Sequence, residues 1–390
     1  MTARAWHIVT GEYPPVRGGV ADYSRSVAAG LAAAGDEVHV WAPAVDAERP
    51  HGALTESQGV LVHPLEYGYG LRGLAALAHA VAREPSPKRM LVQYVPQAYG
   101  MRGVNLPFCG WIAALRGIEV WVMFHEVAVS PGGLRRWKRT MAAGAMRAMA
   151  AILVARADRL FVSIPSWEPM LRAVSLRRPH VTWLPIPSNV PTRGSSANAS
   201  AVRSRLMLRE GGAIVGHFGT YGRLITPLLT QAIREVLTAD DRRIALLVGQ
   251  GSDAFAREFE RDPAMAGRVI GTGALDAEDL AEHLMACDAL LQPYPDGVST
   301  RRTSAMAGLA LGVPIVTNDG YLTETVWRRS GAVELAPAPK DIAPALEGLL
   351  RNPESRAALG ARGRAIYSEL FSLDRTISTL RGEVSPSSAA

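Results

Sequence analysis

The sequence predicts two doubly wound α/β domains joined by a proline-rich connection, and three observations carry that expectation. Short apolar strands alternate with amphipathic helices through both halves, the signature of parallel βαβ units. The strand–loop–helix grammar of the N-terminus starts again near residue 213. Between the two stretches lies the segment 185–191, PIPSNVP, followed by a Ser/Ala-rich run over 194–201; proline there stiffens a connection. A chain of 390 residues suffices for two cores at about 100–200 residues each. The expected domains are 1–190 and 191–370, the last helix (356–370) packing back on the first domain, with 371–390 as a frayed Ser/Pro/Ala tail.

In the first half, residues 6–10 read as a strand and 11–19 as a glycine-bearing loop. Residues 20–34 read as a helix with Tyr23, Val27, Leu31 and Ala34 on its apolar stripe, stopped by Gly35. Strands follow at 38–42, 59–63, 90–94, 120–125, 159–163 and 181–184. In the second half a strand at 213–218 precedes a helix over 224–237. Further strands are expected at 244–248, 269–271, 289–292 and 314–317. Doubly wound sheets bind ligands beyond the carboxyl ends of their strands, so the loops at those ends are where chemistry is expected.

Composition narrows the function classes. Hydrophobic residues are 48% and charged residues 20%, which excludes wholesale disorder. Of 42 Lys+Arg, only Lys88, Lys138 and Lys340 are lysine, and against 36 Asp+Glu the net charge is +6. A side-chain anion site in this chain therefore uses arginine, whose planar fork suits phosphate. The modest excess, with no recurring basic–aromatic platform, argues against nucleic acid. Cys109 and Cys287 stand far apart and no Cys/His cluster is readable, so no zinc site or disulfide framework is expected, and a reducing cytosol is the natural compartment. The N-terminus has no apolar signal core. The longest uncharged run, 303–318, has 16 residues, short of the ~20 needed to span a bilayer.

The densest motif is 291–317, LQPYPDGVSTRRTSAMAGLALGVPIVT. A strand runs into a Pro/Gly loop and then a helix beginning near Arg301. Its first turn offers free N–H groups, Ser299, Thr300, Arg301 and Arg302, a phosphate cradle in physical terms. This segment resembles the donor-binding motif of retaining GT-B glycosyltransferases, especially family 4, whose pattern is P-S-x-x-E-G-F-G-x-x-x-x-E-A-x-A-x-G-x-P-V-V. Asp296 takes the first acidic position and Ser304 the second, while Gly312, Pro314 and Val316 keep the end of the pattern. The loop 11–23, GEYPPVRGGVADY, is similar to the family's first glycine loop through Gly18 and Gly19. His125, ending VMFH, looks like the family's histidine near the donor sugar. Within 215–223, VGHFGTYGR, Arg223 falls where the family has a diphosphate-binding lysine, and its partner arginine is replaced near Thr220.

The resemblance implies a fold of two Rossmann-like domains facing a central cleft. It implies transfer of a sugar from a nucleoside-diphosphate donor, UDP or GDP, to an acceptor hydroxyl. Retention is expected, with no metal and no cofactor beyond the donor. On that reading His125 and Asp296 stand beside the sugar as catalytic residues. Gly18, Gly19, Arg223, Gly297, Val298, Ser299, Thr300 and Arg301 hold the diphosphate and sugar, and Ser304, Gly273 and Leu275 the ribose and base. Tyr13, Asp22, Tyr94, Tyr99, Asn105 and Glu126 line an acceptor pocket. The acceptor is expected to be a glycan or lipid-linked intermediate of bacterial polysaccharide or glycolipid assembly. The basic aromatic stretch 134–139 followed by an apolar helix offers an anionic membrane surface a docking face, equally readable as a buried helix with a solvated basic start. The resulting location is cytoplasmic, or peripheral on the inner face of the membrane. The substitutions at the two acidic positions leave an alternative: a non-catalytic GT-B relative that binds sugar nucleotides or scaffolds a complex.

Overall fold

The computed structural model describes residues 5–16, 18–45, 55–84, 88–129, 137–176, 178–192, 194–206 and 209–384. The chain divides into two compact units, Met1–Pro185 with Thr376–Ser388, and Ile186–Arg375.

The first unit is built on strands β1 (Ala5–Thr10), β2 (Glu37–Pro43), β3 (Thr55–Ser57), β4 (Val60–Leu65), β5 (Lys88–Tyr94), β6 (Ile118–Phe124), β7 (Arg159–Val162) and β8 (Val181–Trp183). Their spatial order is β3-β4-β2-β1-β5-β6-β7-β8, parallel throughout except the β3–β4 pair. Apolar runs such as Met90, Leu91 and Val92 are buried, as expected of parallel strands covered by helices on both faces. The chain winds outward from β1 through β2 and returns to β5 on the other side, so the direction of winding switches between β1 and β5.

The second unit repeats the plan with six parallel strands, β9 (Ile214–Phe218), β10 (Ile244–Val248), β11 (Val269–Gly271), β12 (Ala289–Gln292), β13 (Ile315–Asn318) and β14 (Glu334–Ala336). The order β11-β10-β9-β12-β13-β14 puts its switch between β9 and β12. Each unit is thus a Rossmann-like doubly wound domain.

The structure departs from the sequence expectation in three places. The Ser/Ala run is the helix Ser196–Arg205, started by Ser195 Oγ accepting the Asn198 N–H at 3.3 Å; small polar residues hid it from a periodicity search. The short strands β3 and β14 were not anticipated, because TES and ELA, unlike the equally short VTW and VIG, open on a polar residue. The expected tail instead contains the helix Leu373–Arg381, whose Ile377 and Leu380 are buried. Arg381 anchors its end by donating to the Ala34 carbonyl at 2.6 Å and pairing with Asp36 at 3.1 Å.

Candidate functional site

In the second unit the loops after β9 and β12 flank the switch point. The β12 loop is folded down onto the segment after β13. Gly297 has φ +85°, and a β-carbon there would lie 2.3 Å from Thr323 Oγ1 and 2.5 Å from the Gly320 nitrogen, so only glycine permits this close approach. Val298, Ser299 and Thr300 are buried. Thr300 donates both its N–H (2.9 Å) and its hydroxyl (2.7 Å) to Glu324 Oε1, while Glu324 Oε2 accepts the Trp327 indole N–H at 2.7 Å. Burial pushes the Glu324 carboxyl up, against these donors. Glu324 thus claims the donors of Thr300, the Val298 N–H goes to the Asn318 carbonyl at 3.1 Å, and the buried Ser299 hydroxyl has no partner among the described residues.

Asp296 and Arg301 are paired with each other. The Asp296 carboxylate, 13% exposed, pairs with Arg301 Nη2 at 3.0 Å and with Arg302. It is a counter-ion to two guanidinium groups, and Arg301 has part of its charge spoken for. The helix itself is Thr303–Leu311, with Arg302 at the cap position. Its Ser304 hydroxyl bonds the Tyr294 hydroxyl at 2.8 Å. Tyr294 also takes the Ala305 N–H, and burial pushes its phenol up to about 12.

Arg223 is exposed and has no ion pair among the described residues, which leaves it the available cation on the β9 loop. Gly273 donates to Ser252 Oγ at 2.8 Å and accepts from the Gly249 N–H at 3.3 Å, linking the loops after β10 and β11; Leu275 beyond it is half-buried.

Two candidate side chains in this unit escaped sequence reasoning. His217 is buried in β9, and its Nδ1 lies 2.8 Å from the Leu291 carbonyl. Burial lowers its pKa to about 4, so the ring is neutral, Nδ1 carries the proton, and Nε2 is a lone-pair acceptor. Nε2 is buried with no partner. A methyl on Gly219 would sit 3.5 Å from it and 4.0 Å from Ser304 Oγ. Gln292 at the end of β12 gives its amide N–H to the Phe218 carbonyl at 3.1 Å, and its Oε1 is also unpaired. Both unpaired acceptors stand at the switch point between β9 and β12. A polar residue at or next to the end of each of two apolar strands (AIVGHF and ALLQ) was the available signal.

In the first unit the β1 loop is turned by Thr10, whose hydroxyl donates to the Glu12 carbonyl at 2.8 Å and accepts from Ser24 at 3.2 Å. Gly18 caps the helix Gly19–Ala33, and a β-carbon on it would lie 2.6 Å from Glu12 Oε2; Gly19 is exposed with open space beside it. Asp22 lies 3.5 Å from Arg25, and Tyr13 and Glu126 are half-buried. His125 follows β6, 8% exposed, with Nε2 2.8 Å from Gln93 Oε1 and its ring edge-on to Tyr23. Burial lowers its pKa to about 3. With Gln93 Oε1 as acceptor, His125 carries its proton on Nε2 and leaves Nδ1 as an acceptor.

Tyr94, Tyr99 and Asn105 do not line a pocket. All are buried. Tyr99 donates to the carbonyls of Gln93 (2.9 Å) and Val9 (3.1 Å). Asn105 donates to those of Tyr99 (2.8 Å) and Tyr69 (3.0 Å) and caps the Phe108 N–H. Tyr94 packs edge-on against Phe124. These residues brace the loops from beneath. Of the basic stretch 134–139, residues 134–136 lie outside the described residues.

Comparison with known proteins agrees with both halves. Residues 18–187 match the family described as glycosyl transferase 4-like domain, and residues 214–352 match glycosyl transferases group 1. No curated protein matches the sequence. Among solved structures, sucrose-phosphate synthase from Thermosynechococcus elongatus is 18% identical with a TM-score of 0.73, covering 97% of this chain and 98% of its own. HepE from Anabaena, in complex with UDP and glucose, is 14% identical with a TM-score of 0.66, covering 98% and 99%. WaaG, a glycosyltransferase involved in lipopolysaccharide biosynthesis, is 15% identical with a TM-score of 0.63, covering 96% and 99%. With two doubly wound units, each matching a glycosyltransferase domain and both spanned by such neighbours, the chain is a glycosyltransferase of the GT-B fold.

Proposed function

We propose that this protein transfers a sugar from a nucleoside-diphosphate donor to an acceptor hydroxyl, with retention at the anomeric carbon and without a catalytic metal. The observation that carries this is the second unit's switch point. Unpaired buried acceptors (His217 Nε2 and Gln292 Oε1) stand near the ends of β9 and β12, with an exposed cation (Arg223) on the loop after β9 and a helix start at Thr303 beyond the loop after β12. A departing diphosphate needs positive charge, and an arginine with helix N–H groups supplies it. Neutral His217 can accept a sugar or ribose hydroxyl. UDP is the favoured nucleotide, because the similar HepE was solved with UDP and glucose. His125, neutral across the physiological range, accepts a hydrogen bond at Nδ1 and does not act as a general acid.

For the acceptor we propose a glycan or lipid-linked hydroxyl at the first unit. Exposed Leu71, Met101, Leu106, Trp137 and Met141 include three at the starts of helices that follow parallel strands, with Arg72, Arg102 and Lys138 adjacent in sequence. This suits attachment to an anionic membrane surface. Among the described residues no helix is long and apolar enough to cross one.

The test is mass spectrometry of reactions containing UDP- and GDP-sugars with and without glycan or lipid acceptors. Nucleoside diphosphate released with a matching sugar adduct supports transfer. Tight binding without release from any donor would favour the non-catalytic reading, to which the pairing of Asp296 with Arg301 and Arg302 lends weight.

A further inference from the structure

Among the described residues the second unit exposes two large apolar side chains, Leu224 at 66% and Tyr321 at 82%. Scattered singly, such residues need no ligand. These two are not scattered. Both stand on loops leaving the carboxyl ends of strands, Leu224 after β9 and Tyr321 after β13. The strand order β9-β12-β13 puts those loops on either side of the β12 loop.

Tyr321 also stands on a turn that is fastened on both sides. The Asp319 N–H donates to the Ala336 carbonyl at 2.8 Å, and the Asp319 carboxylate takes Arg328 Nη2 at 2.7 Å and Nε at 3.0 Å. The Leu322 N–H donates to the Asp296 carbonyl at 3.0 Å. Thr323 closes the turn, its N–H on the Gly320 carbonyl at 3.1 Å and its hydroxyl taking the Gly320 N–H at 3.0 Å. A β-carbon on Gly320 would lie 2.5 Å from the Gly297 nitrogen, so the turn is pressed against the backbone of Asp296 and Gly297. The Tyr321 side chain itself has no hydrogen bond or ring contact among the described residues. A ring presented on so fixed a backbone loses little freedom when it is covered.

We propose, resting on the nucleotide-sugar reading above, that Tyr321 is the platform for the donor's sugar, its ring face covering the C–H face of a hexopyranose. A nucleotide sugar is linear, with the diphosphate between nucleoside and sugar. With the diphosphate at the β9 and β12 loops, one end of the ligand extends over the β10 and β11 loops and the other toward β13. The β10 and β11 loops meet through backbone groups, the Gly249 N–H on the Gly273 carbonyl, and expose no large apolar side chain among the described residues. They suit a base that pairs with backbone. The β13 loop offers an aromatic face beside the Asp296 turn, and that suits a sugar. A pyranose carries its hydroxyls at the rim and C–H groups on its faces. The negative face of a phenol ring attracts those C–H groups, and covering both removes apolar surface from water. Sequence reading passed over Tyr321 because a lone tyrosine in a turn belongs to no motif.

The experiment is calorimetric titration of the full chain and its variants with two pairs of ligands, UDP with UDP-glucose and GDP with GDP-mannose, read on the pair that binds. Tyr321→Ala should weaken the nucleotide sugar about tenfold and leave the nucleoside diphosphate within about twofold. Tyr321→Phe, which keeps the ring, should retain the parent affinity for both. Neither variant should shift the melting temperature, since the side chain is exposed. Equal losses for nucleoside diphosphate and nucleotide sugar in Tyr321→Ala would put the ring on the base and overturn the sugar platform. Unchanged affinity for both would overturn it too, leaving the donor reading intact. A parent chain that binds neither pair would sink the donor reading itself, and the platform with it.

Discussion

Each unit carries one buried, neutral histidine at the carboxyl edge of its sheet, and the two are wired in opposite senses. His125 spends Nε2 on the Gln93 side chain and leaves Nδ1 open, whereas His217 spends Nδ1 on the Leu291 backbone and leaves Nε2 unpaired. Their surroundings differ more. Beneath the first unit's loops lies an uncharged brace of Tyr69, Tyr99 and Asn105 bonded to backbone carbonyls. Around the second unit's loops lie acidic and basic groups: Asp296 between two arginines, Glu324 under Thr300, and Arg223 without an ion pair among the described residues. The lesson is a division of labour. On the proposed function, charged groups sit in the unit that would manage the diphosphate, while the first unit's loops rest on a neutral hydrogen-bonded brace.

The sharpest way to break this comparison is to remove the two braces. Glu324→Ala strands three buried donors, the Thr300 N–H and hydroxyl and the Trp327 indole, and should cost about 4 kcal/mol in urea unfolding. Asn105→Ala should cost about 2–3 kcal/mol. Only Glu324→Ala should also weaken UDP binding; equal damage by both would erase the distinction.

Acid should reveal the two histidines next. Both have folded pKa values, about 3 and about 4, below the unfolded 6.5. The unfolded chain therefore takes up protons first, and stability present above pH 6.5 is lost as the pH falls toward those values. By pH 5 each costs roughly 2 kcal/mol. Thermal unfolding followed from pH 7 to pH 5 should show the midpoint falling, and His217→Gln should lessen the fall. A flat profile would mean that these rings are not buried neutral.

Charge and hydrogen bonding can then be separated at the second unit. Arg223→Ala should weaken UDP by roughly 2 kcal/mol while leaving uridine unchanged; equal losses for both would refute a diphosphate role. His217→Phe, which keeps a ring and removes the acceptor, should cost about 1 kcal/mol for UDP-sugar. An unchanged affinity would leave Nε2 without a ligand.

Much of this was legible in the sequence. Strand ends such as residues 244–248 and 289–292 follow from apolar runs closed by turn residues, and the two-domain plan follows from their alternation with helices. The β12 loop was recognisable as a motif, but its internal wiring was not. Glu324 lies 24 positions from Thr300, and nothing local says that a carboxylate will claim its N–H and hydroxyl. Tyr99 and Asn105 looked like pocket residues because polar groups follow a strand end. Their distant carbonyl partners, Val9 and Tyr69, make them core. His217 was passed over because a histidine within an apolar strand reads as packing until its second nitrogen is seen to lack a partner.

The most direct test of the central claim is hydrogen–deuterium exchange of the full chain with and without UDP. Binding at the second unit's switch point should slow exchange in residues 217–223 and 293–305, with the loops around Gly18 and His125 little changed. Slowing confined to the first unit, or none at saturating UDP, would contradict the assignment of the diphosphate to the second unit.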